Sequence, residues 1–143
     1  MYGSLDISTS GMIAQRIRLT AIASNIANRG TVLDSEGRIN PYRARQVMLA
    51  PGDPSARTPD GRALGVHVAE IALDATPIRP REFNPDSPLA YKDGPHAGYV
   101  AETNVNPVVE QVNALEASRA YEANVVAAEA TKQMLAQALR LLA

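Results

Sequence analysis

The sequence predicts an α+β fold, with long helices at the two chain ends packed as a coiled-coil-like pair and a small, irregular, proline-rich β insert between them. Three observations carry this. Residues 107–143 contain no glycine and no proline after the first position. Residues 5–28 form a second long proline-free stretch. Between them, residues 29–106 hold nine of the ten prolines and seven of the nine glycines, which is the composition of turns and interrupted strands. The expected parts are an N-terminal helix in 1–30, a β-rich middle unit in 31–106 and a C-terminal helix in 107–143.

In the N-terminal stretch Leu5, Met12, Leu19 and Ile26 recur at sevens, with Ile22 three residues beyond Leu19, which is heptad-like spacing. Gly11 inside it costs about 1 kcal/mol against alanine. It either marks a close approach of another backbone, belongs to a weakly ordered start of the helix, or is merely tolerated. Asn28-Arg29-Gly30 supplies an αL stop. Asn25 lies beside the apolar seam and reads two ways, as a buried amide that fixes register and partner or as a cap; Asn28 reads foremost as a C-terminal cap.

In the middle unit, 42–50 reads as a strand. A second strand is expected at 65–74, where Val66 and Val68 share one parity and Ile71 and Leu73 the other, so a bulge is expected near Ala69. Residues 51–65 and 77–98 are mostly turn formers, with short strands expected at 78–83 and 99–102.

The C-terminal helix has a well-specified start. Asn106 is a good N-cap, Pro107 suits the first helical position, and Glu110 sits against the positive end of the dipole. Ten alanines, interspersed with Leu, Glu, Gln, Met, Lys and Arg, give high helix propensity over roughly 55 Å. A compact domain of this size has a radius of gyration of about 14–15 Å, so the helix overhangs the globule and needs a partner. A seam runs through Tyr121, Val125, Ala128, Lys132, Leu135, Leu139 and Leu142, in steps of four and three with one polar interruption. Val108, Val112 and Leu115 form a shorter seam out of phase with it, so different faces are expected to meet different neighbours. A hairpin with the N-terminal helix of the same chain remains open on periodicity alone.

Composition narrows the function. With 45% hydrophobic residues, no tryptophan and one phenylalanine, the core is aliphatic and alanine-rich, which favours close helix packing over a large ligand cavity. A net charge of −1 argues against a polyanion partner, so no nucleic acid is expected. The absence of cysteine excludes disulfides, thiolate metal sites and a cysteine nucleophile. Ser8, Thr9, Ser10, Gln15 and Arg16 interrupt any signal-peptide apolar run, and no stretch approaches a membrane span.

The search for chemistry returns little. His67 falls in an expected strand and His96 in a loop. Asp93 and His96 could share a metal, but a solvated loop is the better reading. Nucleophile-elbow and phosphate-loop motifs are absent. Arg43/Arg45 and Arg79/Arg81 read as solvated faces or intersubunit ion pairs, and Glu116/Arg119 and Glu129/Lys132 as helix-surface support. Neither enzyme activity nor any cofactor or metal is expected.

One resemblance organises the remainder. Ser10-Gly11-Met12, Ala14, Arg16, Leu19, Ala23-Ser24-Asn25-Ile26-Ala27-Asn28 and Thr31 closely resemble the N-terminal motif of the flagellar rod and hook axial proteins. Further matches are Pro41-Tyr42-Arg43, Gly65-Val66-His67-Val68, Asp74 with Pro77, Gly98-Tyr99-Val100, Asn104-Val105-Asn106 and the run from Ala117 through Arg119, Tyr121 and Asn124 to Val125. The chain departs from the family pattern at Asn84-Pro85-Asp86-Ser87-Pro88, at a small insertion over 91–97, and at Thr103, where the pattern has proline. These departures touch the middle loop.

The resemblance implies a structural subunit of the flagellar proximal rod in the periplasm, exported through the type III apparatus without a cleaved signal and passing torque toward the hook. Implied neighbours are further copies of itself and the rod proteins FlgB, FlgF and FlgG, with FliE below, and no direct membrane insertion. The expected assembly interface is Leu5, Met12, Leu19, Ile22, Asn25, Ile26, Asn28, Val112, Leu115, Arg119, Tyr121, Asn124, Val125, Leu135, Leu139 and Leu142. A soluble coiled-coil adaptor or chaperone binding a partner helix is the alternative; retention in the cytosol regardless of flagellar export would distinguish it.

Overall fold

Two helices of unequal length run antiparallel along one another, and everything else is attached to the shorter one. A computed structural model describes residues 2–142, with side chains to Leu141. The order is α1 (Tyr2–Ala27), β1 (Arg45–Pro51), α2 (Pro59–Leu64), β2 (Val66–Leu73) and α3 (Pro107–Leu142). α1 packs against α3 and also carries α2 and both strands, so the α+β architecture with a terminal helix pair is present.

The start of α3 follows from its cap: the Val108 amide, at 3.0 Å, and the Val109 amide donate to Asn106 Oδ1, satisfying two otherwise orphaned donors. α1 ends differently from expectation. Gly30 is not among the positive-φ glycines, so it provides no αL stop. Instead Asn28 Nδ2 donates to the Ser24 carbonyl at 2.9 Å, and Thr31 Oγ1 donates to Asn28 Oδ1. The side chain does what a left-handed residue would have done.

β1 and β2 form a two-stranded antiparallel sheet with Met48 opposite Glu70 and Leu49 opposite Val68. Ala69 therefore has no counterpart and is the bulge that the parity switch predicts. The expected strands at 78–83 and 99–102 reduce to isolated bridges, Phe83 with Tyr99 and Ala90 with Val100; Pro77 and Pro80 cannot donate to a ladder. Within the expected turn region lies α2, unforeseen, with Thr58 as its N-cap accepting from the Gly61 amide and Pro59 as its first residue. The 91–97 insertion folds as a loop closed by the Gly98 amide donating to the Tyr91 carbonyl and the Tyr91 amide donating to the Tyr99 carbonyl. Gly98 has φ +82°, and a Cβ there would strike the Phe83 ring.

Polar side chains of α1 fasten the middle unit. Asp6 accepts from the Thr58 amide and hydroxyl at 3.0 and 2.7 Å, Ser10 Oγ accepts from the Val66 amide at 3.0 Å, and Asn25 bonds both backbone groups of Arg45. Asn104 completes the frame from the far side, accepting from the Ala44 amide and donating to the Asp74 carbonyl. Thr103 Oγ1 donates to the Arg29 carbonyl, a bond that a proline could not make.

Among the described residues the buried apolar side chains are small: Ala14, Ala21, Ala44, Ala90, Ala101, Ala117 and Ala128, with only Ile22 and Val32 larger, and the largest fully buried side chain is Asn25. Such a core brings backbones close but removes little apolar surface from water.

Candidate assembly surface

The helix pair has a definite register. A Cβ on Gly11 would lie 2.7 Å from Asn124, and Arg18 pairs with Glu116 at 3.4 Å. Opposed residue numbers thus total about 134, which leaves 134–142 beyond the first turn of α1. This overhang is about 13 Å at 1.5 Å per residue, and Met134, Leu139 and Leu141 on it are 59%, 67% and 87% exposed.

The face of α3 that meets α1 is built of small and polar groups. Ala117, Ala128 and Thr131 are buried, and Asn124, back-bonded to the Ala120 carbonyl, fills the space that Gly11 leaves. Half a turn away at 100° per residue stand Val108, Val112, Leu115 and Val126, all more than half exposed. The apolar bulk of the longest helix therefore faces outward.

Of the residues expected at an interface, Ile22 and Asn25 are buried inside the subunit. Leu5, Met12, Leu19, Ile26, Asn28, Tyr121, Asn124, Val125 and Leu135 are half-buried, and Val112, Leu115, Arg119 and Leu139 are exposed. The side chain of Leu142 lies outside the described residues. The seam read from the sequence is displaced within the subunit: Lys132 and Leu139 are exposed while Thr131, one residue off the seam, is buried. Small residues allow closer helix approach than leucine does, so they take the inner face. Gly11, which the sequence left ambiguous, makes room for the Asn124 side chain of α3 and not for another backbone. The anchoring roles of Asp6 and Ser10 had only one signal in the sequence, short polar residues at helical spacing on α1.

The outer face of α1 presents Thr9, Ile13, Arg16, Thr20, Ala23 and Ala27, all exposed. Thr9, Met12, Ile13 and Arg16 surround a hollow of about 160 Å³, walled on one side by Tyr121 of α3. A larger groove of about 320 Å³ separates Arg18 and Ile22 from Val47, Glu110 and Asn113. Among the described residues Arg16 and Glu122 make no ion pair.

Nothing here is arranged for bond-making. His67 Nδ1 is hydrogen-bonded to the Gly52 carbonyl, and the His96 ring leans toward Tyr91. Among the described residues no three of His, Cys, Asp or Glu converge as metal ligands, and no helix is long and apolar enough to cross a membrane. The chemistry available is association of apolar helix faces with flanking charges.

Known proteins resemble the chain over nearly all of its length. A family model described as flagella basal body rod protein matches residues 5–32, and one described as flagellar basal body rod FlgEFG protein C-terminal matches 96–141. The flagellar basal-body rod protein FlgC of Yersinia enterocolitica is 40% identical over 136 residues, covering 95% of this chain and 93% of the relative. FlgC of Borreliella burgdorferi is 35% identical over 99% of this chain and 97% of the relative, and that of Bacillus subtilis is 35% identical over 98% and 97%.

Proposed function

The chain belongs to the flagellar basal-body rod protein FlgC family, and from that premise we propose that it is a structural subunit of the proximal rod that assembles helically through its terminal helices. It is a rod component of the flagellar basal body and not an enzyme, and it assembles with other basal-body rod proteins.

The observation that carries the assembly reading is surface left over. The accessible surface is 9718 Å², whereas a compact monomer of 15.3 kDa exposes about 7,100 Å². The excess is consistent with a subunit whose outward α3 stripe and overhanging end are covered by neighbours. Heterologous contacts that do not close into a ring propagate as a tube, and a tube of packed helices passes torque along its wall. Residues 31–106, hung on α1, set lateral fit.

The finer placement we propose is the periplasmic rod, with neighbours FlgB, FlgF and FlgG and the adaptor FliE, reached through the type III export apparatus without a cleaved signal. A free adaptor or chaperone is disfavoured by membership in this family. The test is complementation of a chromosomal deletion with a tagged chain. Cells should regain motility, and the chain should co-purify with basal bodies at stoichiometric yield. Motile cells whose basal bodies lack the chain would overturn the reading.

A further inference from the structure

The hollow on the outer face of α1 has the geometry of a helix-packing hole with nothing in it. Thr9, Met12, Ile13 and Arg16 stand at i, i+3, i+4 and i+7, the four positions that receive one side chain from a facing helix in knobs-into-holes packing. Eleven residues on, Thr20, Ala23, Ser24 and Ala27 repeat that spacing with small side chains, and Thr20, Ala23 and Ala27 are exposed. On the outer face of α3 the exposed apolar knobs Val126 and Leu115 are also eleven residues apart.

We propose that these surfaces belong to each other in successive copies of this chain: Val126 of one copy enters the Thr9/Met12/Ile13/Arg16 hollow of the next, and Leu115 packs against the small side chains of Thr20, Ala23, Ser24 and Ala27 that repeat its spacing. The helices run antiparallel, as they do within the subunit. That register sets Glu122 opposite Arg16 of the next copy, joining two charges that have no ion-pair partner among the described residues. Size matches as well, since the larger knob meets the smaller side chains. Opposed numbers now total about 138 against about 134 inside the subunit, so each copy is displaced by about 6 Å along the helices. A contact between two different faces with an axial offset does not close on itself. The inference rests on the rod reading and specifies its subunit contact.

The chain has no cysteine, so directed cross-linking is clean. The variant Ile13→Cys/Val126→Cys, oxidised as the purified full chain, should give a ladder extending past the dimer, because each copy carries both halves of the contact. Dimers alone, or no cross-link, would overturn it. A two-fold pairing of α3 stripes, with Leu115 against Val126 and Arg119 against Glu122, would instead cross-link Leu115→Cys/Val126→Cys and ignore Arg16. In cells, Arg16→Glu and Glu122→Arg should each lower rod incorporation at least tenfold, and the double variant should recover it. Normal incorporation of both single variants, or no recovery in the double, sinks the contact while leaving the rod reading intact. Absence of the native chain from basal bodies sinks the rod reading instead.

Discussion

Asn25 meets Arg45 as a neighbouring strand would, its amide oxygen accepting from the Arg45 N–H at 2.8 Å and its nitrogen donating to the Arg45 carbonyl at 2.9 Å. Tyr42 Oη donates to the same oxygen at 3.0 Å, so an amide only 1% exposed is satisfied on both sides. Replacing it by alanine leaves both backbone groups of Arg45 unpaired at a closed site. Asn25→Ala should cost about 2 kcal/mol in urea unfolding, with the largest rise in amide exchange at Arg45.

Gly11 receives the Asn124 side chain where α1 and α3 face each other. A leucine at Gly11 gains helix propensity but overpacks the seam, at a net cost on the order of 1–3 kcal/mol. Thermal melts of Gly11→Leu and of Gly11→Leu/Asn124→Ala should show a lowered Tm in the first and partial recovery in the second.

Acid should loosen the α1–α2 attachment. The Thr58 hydroxyl and amide, with Arg57 nearby, hold the Asp6 carboxyl below its ordinary 3.8 against the opposing effect of burial. Because the folded value is the lower one, the attachment is at full strength above 3.8 and is lost as pH falls below it toward that depressed value. Amide exchange at Thr58, corrected for intrinsic rate, should rise across that window. In Asp6→Asn the pH dependence should vanish, with faster exchange already at neutral pH.

Placing a charge on the apolar overhang should separate folding from assembly. Leu139 is 67% exposed, so Leu139→Asp should change monomer stability by no more than about 0.5 kcal/mol while abolishing motility. Wild-type swimming halos for this variant would remove the overhang from the assembly surface. In the free chain, 134–142 should exchange faster than 110–131, whose face against α1 is covered.

Much of the fold was legible because its signals are local. The Asn106-Pro107 cap, the unbroken run that follows it and the parity change at Ala69 each require only neighbouring residues. α2 was not legible, because six residues containing Gly61 carry no periodicity and its start depends on Asp6 reaching Thr58 across the fold. The inner face of α3 was hidden for a different reason. Periodicity points to large apolar residues, but Val108, Val112, Leu115 and Val126 are turned outward, Tyr121, Val125 and Leu135 are only half-buried, and Gly11, Ala117, Asn124 and Ala128 hold the seam. The packing that holds the subunit together was therefore hidden from the heptad pattern, and of the residues expected at the interface Val112, Leu115, Arg119 and Leu139 are the exposed ones.

The stagger of the helix pair gives the molecule a direction. α1 ends near the start of α3, so one end is flush, while at the other α3 projects alone. A newcomer arriving at the projecting end finds apolar side chains to cover; one arriving at the flush end finds capped termini and the Asn28 and Asn106 amides. Any stack of such subunits in one orientation would carry that difference along its axis, with bare α3 ends on one side and capped helix ends on the other.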